Sequence, residues 1–397
     1  MKTFFKGTEF IFKLFIIWRL LLFIPLACSH FFLSYRGDYE FTNIWSKVLP
    51  YPIVSNFLLW PWANFDGVHY LSIAGNGYTY DARFFPLYPL LINITSKVFC
   101  DASAFGSIQF LTGFFLSNLF FLASVLLFYK LLLLDFSKKI AKGSIFFLII
   151  FPTSFFFISL YSESLFLFLL LASFYFARQK KWILAGLAAA LLSATRIVGI
   201  FILPALIYEF FFSEKLIKIK FWNCFSLGNL IKSWPIYLAL IGIISYSWLN
   251  FVKWGNPLYF ILAQGDLGNS RSVNNFVFLP QTIFRYIKLF IFFPASNYEW
   301  WLALFEMLIF FLVSSLLIFA YLKKARISYL IFSLLAFLLP VSSGTFSALP
   351  RYVLVLFPIY ISFALLGPKK IIFLAGFLCI VLQFVLLMLF SRGYFVA

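Results

Sequence analysis

Apolar residues fill this chain in long blocks, and polar residues fall mostly between the blocks. Runs of about 15–23 residues with almost no charge suit helices crossing a hydrocarbon layer about 30 Å thick. Such runs lie near 11–33, 107–129, 144–160, 163–177, 182–195, 197–212, 234–252, 301–322, 327–341, 352–366 and 371–390. The alternation expected of a membrane β-barrel is absent. The pattern predicts an all-α integral membrane protein, a bundle of about eleven transmembrane helices, forming a single domain over 1–397. No soluble domain, low-complexity linker or fixed-period repeat interrupts it.

Two apolar stretches fit the spans poorly. In 84–99, "FFPLYPLLINITSKVF", two prolines and Asn93 argue for a short helix on or dipping into the membrane. In 280–293, "PQTIFRYIKLFIFF", Arg285 and Lys288 sit three apart on one helical face, so an amphipathic helix lying along the outer face is expected. Counting it as a span would also turn every later basic loop outward.

Composition agrees with the pattern. Hydrophobic residues make up 63% of the chain and charged ones 11%, and mean hydropathy is +0.99. A soluble chain of this length needs far more polar surface. The net charge of +18 raises nucleic acid as a partner, but its distribution argues against that. With the N-terminus inside, the inner connections collect nineteen of the 31 Lys and Arg residues. Among them are Lys2, Lys6, Lys138, Lys139, Lys142, Lys180, Lys181, Lys215, Lys218, Lys220, Lys369 and Lys370. The outer connections hold fewer, including Lys47 and Arg271, together with most of the acids. This positive-inside asymmetry orients the chain with a cytoplasmic N-terminus and needs no polyanion. The first span lacks a small-x-small cleavage pattern and reads as an uncleaved anchor. Cys28, Cys100, Cys224 and Cys379 show neither disulfide nor zinc spacing. Asn93-Ile94-Thr95 fits a glycosylation sequon, a triplet that also arises by chance.

The outer connections are long at two places, 34–106 and 253–300. Asp66, His69, Asp81, Arg83, Tyr161, Glu163, Arg196, Gln264 and Arg351 all fall at or near outer ends of spans. Charges beside hydrocarbon are costly and are usually paired or functional. A polar site at the outer rim suits a lipid-linked sugar phosphate, whose tail stays in the bilayer. Transfer of that sugar to a hydroxyl needs a base for the hydroxyl and a partner for the departing phosphate. Asp66 fits the base, with Gly67 allowing close backbone approach. Arg196 and Arg351 fit the phosphate role. Each residue also has a plainer reading. Asp66 beside glycine initiates turns. His69 can hydrogen-bond locally, and arginines at interfaces snorkel. Ser162-Glu163 resembles a helix start. The aromatic residues near 60–88 suit an interface belt.

The run "FDGVHYLSIAGNGY", followed by "ARFFPLYPLLI", resembles the PIG-V-like family of GPI mannosyltransferase II. Later stretches agree in order: "PTSFFFISLYSESLFLFLLLASFYFAR", "AGLAAALLSATRIVGI", "WGNPLYF" with Gln264 after it, and "LPRYVLVLFP". Asn64-Phe65 stands where the family pattern carries Arg-Trp or a similar pair, so no basic residue ahead of the acid carries over. The resemblance implies a GT-C glycosyltransferase with short helices along the extracytoplasmic face and a catalytic acid in the first outer loop, at Asp66. It implies a polyprenyl- or dolichyl-phosphate sugar as donor, mannose first among sugars, and a lipid-linked or glycan acceptor beside membrane lipids. His69, Tyr70, Arg83, Tyr161, Glu163 and Gln264 join Arg196 and Arg351 as expected substrate-binding residues. No cofactor or metal motif is visible. A carboxylate-bound divalent ion stays compatible, because oxygen ligands have no fixed spacing.

Two other functions use the same scaffold. A flippase of lipid-linked sugars calls for paired features near midplane and two related halves, whereas the polar set lies at one rim and no repeat is visible. A noncatalytic subunit is disfavoured by the Asp-Gly-x-His-Tyr cluster. The site is expected outside the cell, at the plasma membrane of a prokaryote, or in the endoplasmic reticulum lumen of a eukaryote. A cysteine placed at Asn76, with the four native cysteines removed, is expected to react with an impermeant maleimide added to intact cells. One at Lys180 is expected to react only after permeabilisation, and the reverse pattern overturns the orientation.

Overall fold

The computed structural model describes residues 8–36, 57–79, 81–99, 105–212, 227–267 and 277–397. Lys2, Lys6, Lys47, Lys215, Lys218, Lys220, Arg271, Cys100 and Cys224 lie outside the described residues. All regular structure among the described residues is helical. The α-helices of the first half are α1 (Glu9–Leu21), α2 (Phe23–Phe32), α3 (Asp66–Asn76), α4 (Leu87–Val98), α5 (Ser107–Leu132), α6 (Lys138–Ile150), α7 (Glu163–Arg178) and α8 (Trp182–Ser193). Those of the second half are α9 (Ile202–Phe212), α10 (Leu227–Lys232), α11 (Ala239–Trp254), α12 (Tyr259–Leu262), α13 (Leu279–Phe292) and α14 (Tyr298–Leu322). After them come α15 (Ile327–Val341), α16 (Leu349–Tyr352), α17 (Pro358–Leu365) and α18 (Lys369–Ser391).

Five helical segments are long and apolar enough to cross a membrane: Glu9–Phe32, Ser107–Leu132, Trp234–Trp254, Tyr298–Leu322 and Lys369–Ser391. The protein is a multi-pass membrane protein. Of the other six expected spans, 163–177, 182–195, 197–212 and 327–341 are helical over nearly their whole length but shorter than these five, and two are interrupted. Stretch 144–160 breaks after α6, where Phe151 turns extended (ψ 140°) ahead of Pro152. A proline disfavours helical geometry in the residue before it and cannot donate to the ladder. A 3-10 turn, Ser154–Phe157, follows. Stretch 352–366 breaks in the same way before Pro358. Irregular backbone at such depth is tolerated where protein surrounds it, and residues 151–166 are buried throughout. The two stretches read as non-spanning do form short helices, α4 and α13. Helix α13 buries Thr282 and Tyr286 and exposes Arg285 and Lys288.

The chain packs as two compact units. The first comprises Met1–Asp81, Pro86–Phe168 and Phe363–Val396. In it α18 packs on α2 and α6, α3 packs on α4 and α5, and α1 packs on α5. The break after α6 leaves carbonyls without helical donors. Gln383, in the middle of α18, supplies them: its amide nitrogen donates to the carbonyls of Ile149 (3.1 Å) and Phe151 (2.9 Å). Its oxygen accepts from the Trp18 indole at 2.9 Å. One buried amide so satisfies an interruption that hydrocarbon could not.

The second unit comprises Ala82–Phe85 and Leu169–Ser362, with Ala397. Here α8, apolar on every side, meets α11 through small residues. A Cβ on Gly186 would overlap the Pro235 carbonyl, and one on Gly242 would overlap the Ala190 carbonyl. Small residues let membrane helices approach this closely. At the other end of the unit Glu209 is 3% exposed. Arg326 donates to it through Nε (2.9 and 3.0 Å) and NH2, and Ser328 through its hydroxyl (2.7 Å). The Arg178 Nε lies 3.7 Å away. This cluster joins the ends of α7, α9 and α15. Removing one member of a buried pair strands the rest. Because Arg326 is partly exposed, Glu209→Gln is expected to cost about 2–3 kcal/mol, against about 1 kcal/mol for Ser328→Ala. Thermal unfolding in detergent measures both; equal losses refute the clamp.

Candidate active site

Residues 60–70 and 160–163 run side by side in the first unit. The Leu160 N–H donates to the Trp62 carbonyl at 2.8 Å. The Tyr161 hydroxyl donates to the Asn64 carbonyl at 2.7 Å. The Tyr70 and Ser162 hydroxyls are 2.8 Å apart. These contacts fix a turn, Asn64–Gly67, closed by a Gly67 N–H to Asn64 carbonyl bond of 3.4 Å. Phe65 occupies its first central position at φ 57°, ψ −114°. That is the geometry of a type II′ turn, where glycine dominates. Holding a phenylalanine there costs about 1–3 kcal/mol. The Phe65 ring packs on Phe390 and Phe395, at 5.6 and 5.9 Å between centroids. The Asn64 amide donates to the Phe390 carbonyl at 3.0 Å. Trp62, just upstream, lies beneath the Arg19 guanidinium at 4.6 Å.

The product of this bracing is the placement of Asp66, the second central residue of the turn and the first of α3. A carboxylate at a helix N-terminus is electrostatically favoured. His69 and Tyr70 follow three and four residues later, on the face of α3 that Asp66 begins. His69 Nδ1 meets Asp81 Oδ2, and both side chains are buried. Such a partner fixes the ring's orientation. Glu163 opens α7, as the Ser162-Glu163 pattern suggested, and is 1% exposed. Asp66 alone of these acids is only half-buried. Gly67 does allow a close approach, but to protein: a Cβ there would lie 3.3 Å from Ala63 Cβ and 3.5 Å from Leu160. The Asn93 amide donates to the Ala74 carbonyl at 2.6 Å, tying α4 to α3 and engaging the sequon's side chain.

Arg83, Arg196, Gln264 and Arg351 belong to the second unit. Arg196 stands extended between α8 and the 3-10 turn Ile197–Phe201. Arg351 lies in α16 and is 7% exposed. Both guanidiniums sit over the Tyr352 ring, at 5.3 and 5.6 Å, so two cations far apart in sequence converge on one ring. The loop leading to Arg351 is held from two sides. Glu306, inside α14, accepts from the Tyr286 hydroxyl at 2.6 Å and the Ala348 N–H at 3.3 Å. The Tyr286 oxygen in turn accepts from the Phe346 N–H at 2.9 Å. Burial and the adjacent Glu306 carboxylate raise the Tyr286 phenol well above its ordinary value and keep it a donor. Arg83 follows Ala82, whose carbonyl accepts from the Tyr246 hydroxyl at 2.7 Å. Gln264 is half-buried in the 3-10 turn Ala263–Leu267.

The sequence put Asp81 among the rim polar residues without a role; its pairing with His69, from beyond the end of α3, has no local signal. Nothing in the sequence marked Phe65 as a turn residue, since glycine is the usual sign. No three His, Cys, Asp or Glu side chains gather into a metal site among the described residues.

An all-helical scaffold with several long apolar segments defines an integral membrane protein. The chain belongs to the PIG-V mannosyltransferase family: the model of that family, "Mannosyltransferase (PIG-V)", matches residues 8–256. No curated protein shows a significant match. Two solved structures of the Archaeoglobus fulgidus oligosaccharyltransferase are similar. One, complexed with zinc and sulfate, has a TM-score of 0.42 and 16% identity, covering 84% of this chain and 49% of that one. The other, tethered by a disulfide to an acceptor peptide containing the NVT sequon, has a TM-score of 0.44 and 13% identity, covering 99% and 56%. The chain thus spans about half the length of those structures.

Tyr161→Phe removes only the hydroxyl that braces Asn64. Hydrogen exchange at the amides of 62–68 is expected to quicken several-fold, about 1 kcal/mol of local protection. Tyr321→Phe, at an exposed position of α14, is expected to leave it unchanged.

Proposed function

We propose that this chain is a GT-C glycosyltransferase that moves a sugar, mannose first, from a polyprenyl- or dolichyl-phosphate to a hydroxyl of a lipid-linked or cell-surface glycan acceptor on the extracytoplasmic side. The observation that carries the reading is the difference in access among the acids around α3. Asp81 and Glu163 are buried, whereas Asp66 is reachable and rigidly placed. A general base must come within hydrogen-bond reach of the proton it takes, and of these three only Asp66 meets that condition.

In this mechanism Asp66 accepts the proton of the acceptor hydroxyl. The freed oxygen attacks the anomeric carbon, and the bond from that carbon to the phosphate oxygen breaks. The electron pair leaves with the phosphate, which departs as the polyprenyl monophosphate, and the anomeric centre inverts. Arg351 and Arg196 receive the growing phosphate charge; guanidiniums suit this because their donors match phosphate oxygens in pairs. His69, oriented by Asp81, and Gln264 bind sugar or acceptor hydroxyls, and Arg83 contributes a further positive charge. Tyr70, Tyr161 and Glu163 act as positioning residues, through Ser162, Asn64 and the start of α7.

A reconstituted assay with a radiolabelled polyprenyl-phosphate mannose tests this. Wild type is expected to transfer label to a glycan acceptor, and Asp66→Asn to lose roughly 10²–10⁴-fold in turnover while still binding donor. Donor translocation that persists in Asp66→Asn, with no transfer by either protein, would establish the flippase instead.

A further inference from the structure

Helices α6 and α18 both begin with paired lysines, Lys138-Lys139 and Lys369-Lys370. Neither helix has an acid in its first turn. This inverts the usual placement, since the positive end of a helix dipole favours carboxylates and opposes cations. Four lysines and two positive helix ends therefore gather at one margin of the first unit, the margin that the charge asymmetry assigns to the cytoplasm.

A groove of about 470 Å³ opens from that margin between the two helices. Lys139 and Lys369 line one end of it. From Lys369 the lining continues along one face of α18 at helical spacing, through Gly376 and Phe377 to Ile380, with Phe146 of α6 opposite. The eleven helical rises from Lys369 to Ile380 make this stripe about 16 Å long. Phe377 and Ile380 stay 56% and 47% exposed on a span-length helix, so the stripe faces lipid. The groove therefore has the shape and polarity of an amphiphile: two cations at the headgroup level and an apolar channel of acyl-chain length below them. A basic recess between membrane helices on the cytoplasmic side suits anionic lipid headgroups.

We propose that this groove binds one anionic glycerophospholipid of the cytoplasmic leaflet. Its phosphate lies between Lys139 and Lys369, and one acyl chain lies along the stripe to Ile380. The site is independent of the transfer chemistry assigned to Asp66.

Native mass spectrometry of the detergent-purified full chain tests it, with phosphatidylglycerol and phosphatidylcholine of identical acyl chains as probes. One phosphatidylglycerol is expected to be retained with roughly thirty-fold preference, two lysines each supplying about five-fold. Lys139→Ala with Lys369→Ala should bring the preference near unity, and Lys139→Arg with Lys369→Arg should keep it. Lys323→Ala with Lys324→Ala, a basic pair elsewhere, should change nothing. Millimolar inorganic phosphate should not displace the lipid; displacement would mark a soluble-anion site and overturn the lipid assignment. So would equal retention of the two lipids by wild type, or a preference that survives the double alanine variant. If the alanine pair elutes as aggregate, Gly376→Leu, which fills the channel and keeps both lysines, should lower retention of phosphatidylglycerol; unchanged retention refutes the site.

Discussion

Everything placed around Asp66 depends on one short run of backbone being stitched to another. Residues 160–162 follow the broken end of α6, and the Leu160 N–H is not engaged by a helical carbonyl four residues back. They bind residues 62–70, through the Leu160 N–H and the hydroxyls of Tyr161 and Ser162. The break at Phe151-Pro152 is therefore the condition for the site. A continuous helix through 144–160 would have kept the Leu160 N–H in its own ladder and away from the Trp62 carbonyl. The membrane makes the requirement strict, because no water is present to satisfy what the helix releases.

Buried acids are used in two ways in the second unit. Glu209 meets arginines and a serine and fastens helix ends together. Glu306 meets a phenol and the Ala348 N–H and shapes the loop that presents Arg351. Neither was legible as structural from its flanking residues alone. In such a chain the number of acids is small enough that each needs its own account. Proximity to hydrocarbon marks an acid as consequential without saying for what.

The helical class and the two non-spanning helices could be read from the chain because charge and proline punctuate it there. Arg285 and Lys288 set the face of α13, and Pro86 and Pro89 bracket the start of α4. The start of α7 at Ser162-Glu163 was likewise visible. The interruptions of 144–160 and 352–366 were hidden because uniformly apolar stretches carry no periodicity: Pro152 and Pro358 were the only signs, and hydropathy averages over them. The polar residues proposed for the site could be picked out of the chain, and their local geometry could not. Asp66 and His69 announce themselves in a greasy chain, but the Asp81 partner lies beyond a bend. Gly67 looked like room for substrate and is instead the contact with Leu160. The strained Phe65 could be recognised only from its dihedral angles.

The bond from the Asn64 amide to the Phe390 carbonyl joins positions 326 residues apart. During synthesis the segment around Asn64 emerges long before α18 leaves the ribosome. Until α18 inserts, nothing supplies the Phe390 carbonyl or the Phe390 ring that packs on Phe65. Asp66 thus takes up its braced place in the turn only after α18 has been made, and a chain arrested before α18 would carry every residue of the Asp-Gly-x-His-Tyr run without that bracing.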